Sequence, residues 1–148
     1  MEPSPKIDLS GCVSDATKHE AAVFVANRLR RIADGDPADP ETWENVARLY
    51  GITIRKFTRR DEPRGCGLPR MWDDAGLVGG VIAVNATLPP GEQAAVWIHE
   101  LSHLLIAAWL PTQLASRADA VSYYYDDREG VCHEIARRVE RLLLSAAV

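Results

Sequence analysis

Between Ala94 and Leu110 the chain carries a single charged residue, Glu100, and the other polar side chains in that run are His99, Ser102 and His103. A stretch of this length and composition folds as a helix buried nearly all round. It is not a membrane span, because Glu100 and two histidines sit at its middle. At 3.6 residues per turn, His99 and His103 stand one above the other, with Glu100 rotated by about 100° toward the flank of the same face. A carboxylate and two imidazoles buried without partners would cost several kcal/mol. A divalent cation satisfies all three at once: His-Glu-x-x-His on a helix puts two imidazoles on one metal and a carboxylate beside the metal's water. The expectation is a zinc-dependent peptidase. The duller alternative makes His99 and His103 core histidines bonded to backbone, with Glu100 as their ion-pair partner.

At 148 residues the chain is about one domain long and can bury a core without disulfides. We expect a single domain over 1–148, with the aperiodic, Pro- and Ser-containing residues 1–13 as a loose arm. A hydrophobic content of 47% beside 26% charged residues argues against disorder and against a membrane protein. The net charge is −4, and the arginines are scattered among carboxylates rather than gathered in a stripe, which gives no basis for direct nucleic-acid binding. Cys12, Cys66 and Cys132 are an odd number at unrelated spacings, which suggests a reducing compartment rather than a disulfide framework. Met1-Glu2-Pro3-Ser4-Pro5 has neither the basic nor the apolar region of a secretory signal, so the expected location is cytoplasmic.

Ser14 or Asp15 is placed to cap a first helix, in which Ala22, Val25, Ala26, Leu29 and Ile32 recur at helical spacing opposite Arg28, Arg30 and Arg31. Residues Asp34 to Pro40 break it, and Asp39-Pro40 reads as N-cap and first residue of a second helix ending near Tyr50 and Gly51. Ile52 to Phe57 is β-branched and partly alternating, hence a strand. Leu68 to Trp72 gives a weak second strand and Leu77 to Asn85 a better third, with Gly79 and Gly80 marking a bulge or a close backbone approach. The Pro89-Pro90-Gly91 turn leads into the long helix. A last helix beginning near Asp126 or Asp127 has Val131, Ile135, Val139 and Leu142 as its core face, with Arg137, Arg138 and Arg141 suited to solvent.

A zinc ion that keeps one position open for water needs a third protein ligand from a neighbouring element. Glu129, in the first turns of the last expected helix, is the first choice by spacing. Glu134 and Glu140 compete by residue type, and Asp126 and Asp127 by proximity.

Val81-Ile82-Ala83-Val84-Asn85, then a loop with Leu88, then Ala95-Val96-Trp97-Ile98-His99-Glu100-Leu101-Ser102-His103 resembles the ImmA/IrrE family of metallopeptidases, in which a strand ending in Asn precedes a helical His-Glu-Leu-Gly-His. Glu129-Gly130-Val131-Cys132-His133-Glu134-Ile135-Ala136, with Leu142 and Leu143 beyond, is similar in layout to that family's Glu-x-x-Ala-Asn-x-Phe-Ala-x-x-Leu-Leu. The resemblance implies an α+β, small zincin-like domain, mainly helical, with a three-stranded mixed or antiparallel sheet. It also implies one zinc ion per chain, Glu129 as third ligand, and as substrate a helix-turn-helix transcriptional repressor of a mobile element or stress regulon, cut to relieve repression. Two residues depart from the pattern. Ser102 replaces a Gly, and His133 stands where Asn or Asp is usual, with two roles open to it: a hydrogen bond to a zinc ligand, or service as an alternative ligand.

With His99, His103 and Glu129 on zinc, Glu100 acts as general base toward a zinc-activated water and passes the proton to the leaving amine. The oxyanion needs a second donor, and the cluster Tyr123, Tyr124 and Tyr125 holds a candidate, Tyr124, against packing as the duller role. The strand residues Val81, Ala83 and Asn85 are expected to bind an extended substrate by edge pairing. Two rivals are weighed. Gly65-Cys66-Gly67-Leu68 partly resembles the Gly-Cys-Leu segment of peptide deformylases, but Gly67 interrupts it and Ser102 stands where that family has Asp. The other rival is a non-catalytic zinc-binding regulator that sequesters a repressor or partner without hydrolysis.

Overall fold

The computed structural model describes residues 14–58, 65–69, 80–109 and 130–145. The expected arm over 1–13, Asp126, Asp127, Glu129 and the tyrosines 123–125 lie outside the described residues. The elements in chain order are α1 (Asp15–Ile32), α2 (Pro40–Leu49), β1 (Ile52–Phe57), β2 (Gly65–Pro69), β3 (Gly80–Asn85), α3 (Pro90–Trp109) and α4 (Val131–Ser145).

The first two helices start where side chains satisfy orphan amides. Ser14 Oγ accepts from the Thr17 amide at 3.2 Å, and Asp39 Oδ1 from the Glu41 amide at 2.9 Å with Pro40 just inside the helix. At the other end of α2, Gly51 takes φ +69°, the left-handed conformation that turns the chain from helix into β1. Gly130, immediately before α4, is also left-handed, with φ +65°.

β3 pairs in parallel with β1 (Thr53 opposite Val81, Arg55 opposite Ala83) and antiparallel with β2 (Cys66 opposite Ala83, Leu68 opposite Val81). It is therefore the middle strand, and its ladder groups are taken on both sides. This corrects the expectation that Val81, Ala83 and Asn85 offer a substrate edge. Asn85 is moreover buried, and its Oδ1 accepts from the amide and hydroxyl of Thr87 at 3.0 and 2.7 Å, fixing the turn toward α3. Gln93 holds the same turn from within α3, donating to the Leu88 carbonyl at 2.8 Å. The second strand also lies earlier than Leu68–Trp72: pairing with the apolar β3, rather than local β-propensity, selects Gly65–Pro69.

The mixed α+β class holds. α3 is the central element, lying against α1, α2, α4, β2 and β3, while α2 covers β1. Its Trp97, Ile98, Leu101 and Ile106 meet Leu29, Trp43, Ile82, Ile135 and Leu143 in one core. Each such large side chain contributes about 1.5–3 kcal/mol when fully buried. Ser102 is fully buried too, and its hydroxyl donates to the Ile98 carbonyl at 2.6 Å, so this polar group is satisfied within the helix. On α4 the buried face is Val131, Cys132, Ile135, Ala136, Val139 and Leu143, with Leu142 only partly covered. Arg138 is not the solvent residue expected: its side chain is only 20% exposed, and its guanidinium donates to the carbonyl and carboxylate of Asp15 on α1, each at 3.0 Å. Among the described residues no helix is long and apolar enough to cross a membrane.

Candidate metal centre

The packing of α4 against α3 brings a third imidazole to the two predicted by spacing. His99 Nε2 lies 3.2 Å from His103 Nε2 and 3.2 Å from His133 Nδ1. One ring nitrogen from each of the three residues falls within 4.8 Å of the others. The rings meet edge to face, with centroids 4.8 Å apart for His99 and His103 and 4.7 Å apart for His99 and His133. His99 and His103 are partly buried and His133 is exposed, so the cluster opens to solvent on the α4 side.

These separations suit a shared cation. Two nitrogens bound to one zinc at the usual bond length and the tetrahedral angle lie about 3.3 Å apart. Two of the three pairs already stand close to that spacing. No backbone group partners the His99 ring among the described residues; its contacts are His103, His133 and Glu140.

Glu140 lies at the opposite end of the His99 ring, its Oε2 2.6 Å from Nδ1. Both side chains are mostly covered, 15% exposed for His99 and 17% for Glu140. Weighed from sequence as a third ligand, Glu140 instead meets the nitrogen that points away from the other two imidazoles. Glu134, the other competitor on α4, is committed elsewhere: Oε1 accepts from Arg138 Nε at 3.1 Å and from Arg141 at 3.3 Å. The Arg138 hydrogen bond holds its carboxyl below the usual range against an opposing effect of burial.

Burial pushes the Glu100 carboxyl above the usual carboxylate range; the neighbouring His99 pulls it down and Glu140 adds to the rise. Cys132, beside His133, is buried in the core.

The sequence placed His99, Glu100 and His103 on α3 but did not foresee that Glu140 would grip His99. The available signal was spacing: Glu140 follows His133 by two helical turns, which puts both on one face of α4. The third ligand expected at Glu129 lies just before the described part of α4. No protein-family model matches the chain, and no curated protein matches it.

Proposed function

We propose that this chain is a zinc-dependent endopeptidase whose metal is held by His99, His103 and His133. The observation that carries the reading is the convergence of three ring nitrogens from two helices beside a half-buried glutamate. Glu129 is the alternative third ligand, from its spacing and from the resemblance to the ImmA/IrrE metallopeptidases. Zinc bound there would supply a water of pKa near 7 and polarise the scissile carbonyl. Glu100 takes the proton of the attacking water and returns it to the departing amine. Among the described residues β2 is one of the two end strands of the sheet and lies against α3, and we place an extended peptide along its outer side, a role that the paired β3 does not fill.

The substrate that the resemblance favours is a DNA-binding repressor of the helix-turn-helix type, met in the cytoplasm, with no direct contact between this chain and nucleic acid. Incubation of the zinc-loaded protein with the repressor encoded nearest its gene tests this by mass spectrometry. Cleavage by the unmutated protein and none by Glu100→Gln, with zinc retained in both, is the expected result. Zinc in both without cleavage of any repressor would favour the non-hydrolytic regulator instead.

A further inference from the structure

We infer that Glu140 is a positioning residue that sets the orientation and tautomer of His99, a role that rests on the metal-binding reading above. The His99 imidazole is gripped at both ends by one helix. His133 Nδ1 stands 3.2 Å from its Nε2, and Glu140 Oε2 stands 2.6 Å from its Nδ1. A seven-residue separation on α4 corresponds to about two turns, so the two contacts come from the same helix face.

The chemistry of the pair follows from what each atom can do. A carboxylate only accepts, so the short contact with Glu140 requires the proton of a neutral His99 to sit on Nδ1. Nε2 then carries a lone pair directed toward His103 and His133, which is the form a metal needs. The other tautomer would aim an N–H at the shared centre and leave two acceptors, the carboxylate and Nδ1, facing each other across 2.6 Å. A carboxylate on the outer nitrogen also offsets part of the charge that three neutral imidazoles leave on a divalent ion. The His99–Glu140 pair joins α3 to α4 directly, so it holds the ring in place before any metal arrives.

Zinc affinity, measured by competition with a chromophoric chelator, and ¹⁵N imidazole spectra of the metal-free protein test this in the wild type, Glu140→Gln and Glu140→Ala. His99→Asn assigns the ring signals by their loss. We expect Glu140→Ala to weaken zinc about 10- to 100-fold. Glu140→Gln, whose amide oxygen still accepts from Nδ1 but carries no charge, should keep the Nδ1-protonated tautomer and bind zinc more tightly than Glu140→Ala and less tightly than wild type. The wild-type His99 should be protonated on Nδ1 and Glu140→Ala should show mixed tautomers. A wild-type His99 protonated mainly on Nε2, or a Glu140→Ala with unchanged affinity and tautomer, would overturn the inference. The wild-type spectrum decides even if Glu140→Ala does not fold. Failure of the wild type to bind zinc at all defeats the metal reading instead, and the tautomer result still tests the hold of Glu140 on His99.

Discussion

Helix α4 presents two polar faces to two neighbours, and they solve the cost of burying polar groups differently. Toward α1, Glu134 and Arg138 meet as opposite charges, and Arg138 continues to Asp15, so the α1 side carries a closed ionic tie. Toward α3, His133 and Glu140 meet His99, and the three imidazoles that converge there have no counter-charge among themselves. Glu134 and Glu140 are the same residue type on the same helix, yet one is saturated by guanidinium groups and the other braces an imidazole. The difference is between a face closed by paired charges and a face where, on the function proposed above, a cation would join the imidazoles.

The largest effects should fall on the α3 face. Replacing His99 or His103 by alanine should weaken zinc by well over about a hundredfold, beyond what loss of an outer partner costs, as read by chelator competition. His133→Ala should do the same while Glu129→Ala and Glu134→Ala keep zinc; loss with Glu129→Ala and retention with His133→Ala would move the third ligand to the position that spacing suggested. Glu100→Gln should keep zinc and lower peptide cleavage by about 10²- to 10⁴-fold, the range for removal of a general base. On the α1 face, Arg138→Ala should leave zinc affinity untouched and cost about 1 kcal/mol, a drop in Tm of about 3 °C, since Asp15 is open to solvent and its share is screened. If that variant lost zinc, the two faces would not be independent.

The smallest expected effect is on acid stability. The Glu134 carboxyl is held below its ordinary 4.5 in the folded chain, so its contribution is fully present above that value and disappears as the pH falls through the depressed one. Urea midpoints of wild type and Glu134→Gln should therefore converge as the pH drops below about 4.5. A gap that persisted unchanged into acid would mean that the tie works through packing rather than charge.

How far the sequence could be read depended on whether the signal was local. Ser14 and Asp39-Pro40 announce helix starts through their own backbone chemistry, and β1 was read at its observed bounds, Ile52–Phe57. His99, Glu100 and His103 share one helix, so their relation is set by 3.6 residues per turn. β2 was misplaced because its glycines carry little β-propensity and its position is chosen by a partner strand. The middle position of β3 depends on strand order, which no single strand encodes; Asn85, expected at a substrate edge, accepts from Thr87 in the turn toward α3. The meeting of His99 with Glu140, 41 residues later, exists only once α4 has packed on α3.

The central claim is that the imidazoles of two helices form a zinc site, and elemental analysis of the full chain purified without chelators tests it most directly. About one zinc per chain, removed by dialysis against a chelator and lost in His103→Ala, is the predicted result. Protein that folds, emerges free of zinc and takes up none when it is offered would contradict the account.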